Sequence, residues 1–517
     1  MHRIKKYKWW FIAGTLAFCI LLWAVWPARL NRTISYETTR VTTYDADGNI
    51  DYYGVLNKKL KGDIKPDDNA MVLLIQAIGP FPEGQRMPPM FYELLEVEEP
   101  KGEGIYFKNF SRKDENDPER TRGDLPEECN QPWSKIDYPE VAAWLKANEE
   151  PVKIAMRAIE RPSYYYPLVP VTGSSRPLLL AANFSFSQKF RNLAYYFKVR
   201  AMNAIQEQRI QDAWNDLYAA MRLGRLIQSN AGTVIDSLVG QAVIRLAQGA
   251  CGYLYPKLTR ENFAFDSLHQ QLSELPPRRS LGRQLDECER FCILDLLQHA
   301  HGTTWNGDVN ELMRLEDLQA RPGLIKRMFI RSLNYNQILL RINEVFDAYI
   351  AASQKPDINA KRVACQQVIE SLKQSPPPKF SILSSSRTRA IHIANGVLLE
   401  LTGNYDRLIV SSAYLEIQTR IFELAFSVAE YRVQHGHYPE KLEELKLPAA
   451  QLIDGYSGKQ LHYERWNEGF LLCSLGENQQ WERYLQTARD KKSKPNLQDE
   501  QERAFRLTLL RIPVPGE

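Results

Sequence analysis

The sequence predicts a mainly α protein with an N-terminal transmembrane helix, an α-helical bundle body built of helical hairpins, and a small C-terminal α+β module with an antiparallel hairpin. Three observations carry this expectation. Residues 9–26 form one uncharged apolar run, residues 141–374 repeat apolar positions every three or four residues, and residues 414–478 pass from helical spacing to two short runs around a turn. Helices and strands differ in side-chain period, about 3.6 residues against 2, so such a switch is visible in sequence.

The apolar run, WWFIAGTLAFCILLWAVW, follows Arg3, Lys5, Lys6 and Lys8. As a helix it reaches about 27 Å, close to the roughly 30 Å hydrocarbon core of a bilayer. Trp9 and Trp10 at one end, and Trp23 and Trp26 at the other, suit two interfacial aromatic belts. Signal-peptide cleavage needs small residues before the cut, and Leu22, Trp26 and Pro27 obstruct the available sites. The expectation is an uncleaved single-pass anchor in the inner (cytoplasmic) membrane, N-terminus in, with the bulk of the chain extracytoplasmic.

Composition narrows the function classes. The 517 residues are 44% hydrophobic and 25% charged, ordinary for a folded protein of several domains. A net charge of +4 is small for this length and points away from nucleic acid, whose binders carry a larger, clustered basic surplus. Seven cysteines without a CxxC pair argue against a disulfide scaffold and leave one or two bridges open.

The expected divisions are residues 1–8, a cytoplasmic basic tail; 9–26, the anchor; 27–140, a mixed, partly irregular membrane-proximal region; 141–374, the helical body; 381–480, a long helix and the α+β module; and 481–517, a polar linker and terminal strand. After a short strand over 41–44, DADGN at 45–49 reads as a turn. It is not a calcium loop, because Ile50 and Leu56 stand where an EF-hand needs Gly and Glu. Two helices flank KPDDNA between 51 and 78, and Gly79 with Pro80 stops the second. The Pro-, Gly- and charge-rich passage 81–139 reads as irregular. Helical spacing resumes over 141–160 despite Pro151, and Tyr164, Tyr165 and Tyr166 in the next loop read as core edging. Residues 191–256 are strongly helical with a polar break at 206–209. The small residues Ala201, Ala204, Ala213 and Ala220 would let helices approach closely. This stretch resembles one tetratricopeptide-like hairpin, but no repeat at that period follows, so a bundle is expected. Further helices are expected over 281–299, 325–353 and 363–373, and SPPPKF at 375–380 is a break.

Chemistry concentrates in LGRQLDECERFCILDLLQHAHG. Cys288, Cys292, Asp295 and His299 fall at i, i+4, i+7 and i+11, one helical stripe of thiol, carboxylate and imidazole, the usual zinc ligands. The stripe spans about 16 Å, too far for one metal, although two neighbours could join ligands from another helix. Glu289, Asp295 and His299 are the catalytic candidates. Leu281, Leu285 and Leu296 continue the stripe, which favours a core face in which free Cys acts as a small hydrophobe. Glu289 and Arg290 suit either a buried polar network or an exposed pair. Other templates fail: there is no GxSxG, HExxH or GxGxxG, and in GYSGKQ at 455–460 Gln460 stands where a phosphate loop needs Ser or Thr. No cofactor is implied.

Over 414–434, Ile417, Ile421, Leu424, Val428 and Tyr431 form one apolar stripe, and Phe422, Phe426, Ala429 and Val433 a second. Such a helix must be covered on most sides. Gly436 ends it, Pro439 opens a short helix, and 461–465 with 470–475 read as the hairpin. The sequence YRVQHGHYP, then LEEL, DGYSGKQLHY and EGFLLCSLGEN, resembles the globular part of type II secretion pseudopilins. That resemblance implies a long helix, a G-x-Y-P turn and a small antiparallel sheet. It rests on Tyr431, Gly436, Tyr438, Pro439, Leu442, Leu445, Asp454, Tyr456, Gly458, Tyr463, Phe470, Ser474 and Gly476. The family's cleaved leader with its Glu is not matched by KYKWWFIAGTLAF, and no acidic loop follows Gly476, so assembly into a pilus is not implied. The whole layout resembles a bacterial group of single-pass, membrane-anchored proteins with this ending, which implies location and no mechanism. The sequence therefore leads to a membrane-anchored extracytoplasmic component of the cell envelope that makes protein contacts and binds no nucleic acid. The alternative is an exported hydrolase or metal-dependent enzyme with its site on 281–301.

Overall fold

The computed structural model describes residues 15, 35–46, 48–113, 121–123, 125–169, 179–182, 186–302, 335–373, 386–403, 405–456, 458–465, 469–474 and 509–511. Among them the chain is mainly helical, with a small antiparallel sheet toward its C-terminus. No helix of the described residues is long and apolar enough to cross a membrane. The expected anchor over 9–26 lies outside them, Thr15 apart.

The first elements are capped as their sequences dictate. Asp51 opens α1 (Tyr52–Lys61) by accepting from the Gly54 amide at 2.7 Å, and Asn69 opens α2 (Ala70–Ile78) by accepting from Met71 at 3.1 Å. Gly79, at φ +89°, ends α2 in a conformation that L side chains rarely adopt. Residues 81–139 are less irregular than their composition suggests, because they hold α3 (Pro89–Leu95) and the paired strands β1 (Arg112–Lys113) and β2 (Thr121–Arg122). Pro89 occupies the first turn of α3, where its missing amide costs nothing, and Phe91, Tyr92 and Leu95 are buried. The expected helix over 141–160 is two, α4 (Pro139–Ala147) and α5 (Glu149–Glu160), meeting at the buried Asn148. Pro151 is tolerated because it falls in the first turn of α5.

Tyr164, Tyr165 and Tyr166 are all buried. Their loop is held between α1 and α2: the Asn57 side chain exchanges bonds with Leu168 N (2.9 Å) and O (2.8 Å), and Asn69 does the same with Tyr165 (2.9 and 3.1 Å). Buried amides that bond both groups of one residue replace a strand pairing.

The body is the antiparallel trio α6 (Ser187–Gln206), α7 (Ile210–Ser229) and α8 (Val234–Ala250). Gly224 of α7 and Gly240 of α8 meet at the crossing. A Cβ built on either would sit 2.6 Å from the other's carbonyl oxygen. Thr233 and Asp236 form a reciprocal capping box at the start of α8. Then come α9 (Phe265–Ser273) and α10, which runs as Leu281–Gln284, a π-helical turn over Leu285–Glu289, and Arg290–Gly302. The remaining helices are α11 (Tyr335–Ser353), α12 (Ile358–Lys373), α13 (Ser386–Thr402) and α14 (Tyr405–His435).

Helix α14 begins nine residues before the expected start, since Tyr405, Ile409 and Ala413 continue its buried side. It is covered by the body. Phe426 packs against Trp214 and Tyr255 with ring centres 5.1 and 4.7 Å away, and Arg245 donates to Gln418 at 3.0 Å. After a turn at Leu442–Leu445, strands β3 (His462–Arg465) and β4 (Phe470–Cys473) pair antiparallel. Strand β5 (Leu509–Arg511) pairs antiparallel with the other edge of β4, all four of whose residues are buried.

Candidate functional site

Helix α10 carries every candidate catalytic or metal-binding residue. Of the predicted stripe, Cys288, Cys292 and Asp295 are buried, as is Leu285, which continues it. Its chemistry is that of a core. Burial pushes the Cys288 thiol up to about 12, and the Cys292 thiol, buried beside Glu289, Cys288 and Asp295, stands well above its ordinary range. Neutral thiols are poor nucleophiles and poor metal ligands. Cys251, Cys365 and Cys473 are buried thiols too, and none of these five is in a disulfide.

Asp295 accepts from the Leu179 amide at 2.8 Å, tying the segment before α6 to α10. One turn on, Gln298 binds both backbone groups of Ile50, accepting from N at 2.6 Å and donating to O at 3.0 Å. Glu289 points the other way. Its Oε1 accepts from the Val234 amide (3.0 Å), an unpaired donor at the start of α8, and its Oε2 accepts from the Tyr405 hydroxyl (2.9 Å) at the start of α14. Burial raises the Glu289 carboxyl above its ordinary value, and the two donors oppose that. His299 lies within the helix, and its side chain is outside the described residues. Among the described residues no three His, Cys, Asp or Glu side chains gather as a metal would require.

Two further groups complete the region, of which Asp236 was not singled out in the sequence. Asp236 is buried, and its carboxyl is raised to about 6, first by burial and then by nearby Glu289, against the bonds it accepts at Thr233 and Gly232. Arg290, left open between buried and exposed, is inside: its side chain is 1% exposed. It reaches Asp286 at 2.9 Å and Asp347 at 2.6 Å, bonds Asn343 at 3.3 Å, and lies over the Phe346 ring. The π turn puts an extra residue into one turn, so Glu289 and the adjacent Arg290 enter the interior at different neighbours.

No family model, curated protein or solved structure matches the chain. Its chemistry rests on its own geometry.

That geometry makes α10 a junction, with carboxylates and amides that hold α8, α14, Ile50 and Leu179 in place. One consequence is measurable. Asp236 ionises near 4 when unfolded and about 6 when folded. Its contribution to stability is therefore full below about pH 4 and is lost as pH rises through about 6, a change on the order of 3 kcal/mol. Urea unfolding from pH 4 to 7 should show Asp236→Asn losing less stability than the parent over that window. Parallel curves would remove Asp236 as the cause.

Proposed function

We propose that this chain is a membrane-anchored, extracytoplasmic component of the cell envelope that acts through protein contacts and not by catalysis. The observation that supports this is the fate of α10. The thiols of Cys288 and Cys292 are buried and protonated, and Glu289 and Asp295 hold neighbouring backbone amides. A catalytic carboxylate needs access to a substrate, and a metal site needs convergent ligands. Membrane attachment is supported by the basic residues and apolar run of residues 3–26. The likeness of 414–478 to pseudopilin globular parts supports an envelope setting. The coverage of α14 by Trp214 and Tyr255 supports a docked end-piece in place of a polymerising subunit.

The test joins two measurements on the full chain purified from membranes. Metal analysis is expected to give substoichiometric metal that Cys292→Ala leaves unchanged, and cross-linking in intact membranes is expected to give adducts larger than the monomer. Stoichiometric metal lost in Cys292→Ala would favour the enzyme reading. A monomer that never cross-links would count against protein contacts.

A further inference from the structure

We propose that His435 and His437 form an open binding site for a divalent transition-metal ion, Cu2+ by preference, at the turn that joins α14 to the C-terminal sheet. Their imidazoles stand on either side of Gly436, both on exposed residues, with ring centres 6.4 Å apart. Neither ring takes part in the α10 junction, and the site is independent of where the chain resides.

Hydrogen bonding fixes which nitrogen is free. His435 Nδ1 lies 3.0 Å from the Tyr431 carbonyl oxygen, and His437 Nδ1 lies 3.0 Å from the Tyr438 carbonyl oxygen. A carbonyl only accepts, so both Nδ1 atoms carry a proton and donate it. In the neutral ring the lone pair is then on Nε2, and neither Nε2 has a hydrogen-bond partner among the described residues. A metal-ligating histidine keeps this same outer contact, its second nitrogen donating to a carbonyl that sets the ring and its tautomer. Tyr431 adds a further hold. Its ring stacks on His435 with centres 4.0 Å apart and 17° between the planes, and it meets His437 edge-on at 6.0 Å.

Charge and spacing favour a cation here. Gly436, at φ +81°, ends the 31-residue α14, its amide bonding the Arg432 carbonyl at 2.8 Å. The rings therefore sit at the helix C-terminus, where the free carbonyl ends carry partial negative charge. Glu444 accepts from the Tyr431 hydroxyl at 2.7 Å, and its carboxyl is held low first by that bond and also by His437. Two imidazoles that share an ion at ~2.0–2.1 Å per nitrogen have ring centres roughly 5–6 Å apart, so a small rotation of these exposed side chains closes the distance. Imidazole suits zinc, nickel and copper, and Cu2+ is bound most tightly of the divalent series. Three convergent ligands, the requirement of a closed site, occur nowhere among the described residues. Two make an open site, which completes its coordination with water and loads only when the ion is supplied.

Cu2+ is titrated into the metal-free full chain, with bound equivalents read by calorimetry and ligating nitrogens by electron paramagnetic resonance. The parent is expected to bind one equivalent more than His435→Ala or His437→Ala, and that equivalent should show two imidazole nitrogens. His269→Ala and His462→Ala, whose rings pair with Glu430 and Glu464, should leave it in place. His435→Gln and His437→Gln keep a polar side chain, so that loss of the ion is separated from loss of the fold, which metal-free urea unfolding reads. An equivalent that survives in both alanine variants places the ion elsewhere, as at His299 and His301, the other HxH of the sequence, and overturns the site. An equivalent lost in only one of the two marks a single surface imidazole and also overturns it. So does a chain that binds no Cu2+.

Discussion

Gly224→Ala will lower the stability of the full chain by about 1–3 kcal/mol or more, and Gly240→Ala will do the same. A Cβ at Gly224 would lie 2.6 Å from the Gly240 carbonyl oxygen and 2.6 Å from Ile244 Cγ1, and backbone cannot rotate out of the way as a long side chain can. The helices must separate, and because α7 is also packed on α6, the displacement costs contacts on both sides. The same substitution at Gly249, where nothing lies within 4 Å, should instead stabilise α8 by up to about 1 kcal/mol through helix propensity. Urea unfolding of the three variants checks this. The double variant Gly224→Ala with Gly240→Ala should cost less than the sum, since one separation accommodates both methyls. A neutral Gly224→Ala would mean that the crossing is looser than described.

Arg290→Ala should cost about 1–3 kcal/mol, the loss of a buried, charge-assisted hydrogen-bonding side chain whose carboxylate partners Asp286 and Asp347 stay half exposed. It removes the cation shared by Asp286 and Asp347, the Asn343 bond and the stacking on Phe346 at once. Lysine would not restore it, because an ammonium cannot span partners that the planar guanidinium fork reaches together. Asp347→Asn should be milder, because that carboxylate is 57% exposed and Asp286 remains. Unfolding curves give the energies. Limited proteolysis around residues 36–50, which Asn343 and Gln298 secure, tells whether the loss loosens the N-terminal segment first.

Much of the helical layout was legible because apolar period and capping chemistry are local. KPDDNA, which ends on Asn69 and Ala70, announced the start of α2, and the polar break at 206–209 divides α6 from α7, where Gln208 takes a positive φ of 59°. The two stripes of α14 foretold its burial. What was missed had local causes as well: Pro88 and Pro89 masked α3, and Asn148 breaks a periodicity that otherwise runs through α4 and α5. The α10 stripe was visible, but its purpose was not. Thiols and a carboxylate at helical spacing look alike as ligands or as core, and the partners that decide between them, Leu179, Val234 and Tyr405, lie 116, 55 and 116 residues away along the chain. No periodicity joins such pairs.

The grip of Asn343 on Glu37 and Thr38 also dictates an order of events during synthesis. The two ends of that contact are 306 residues apart. At ~5–20 residues per second the ribosome needs roughly 15 to 60 s to deliver the second after the first. Throughout that interval the segment carrying Tyr36, Tyr44 and Ile50 has its exposed apolar side chains and none of the α10 and α11 groups that later fix it. The N-terminal stretch is thus made first and secured late, so a nascent chain truncated before Asn343 should leave it open to a chaperone or protease.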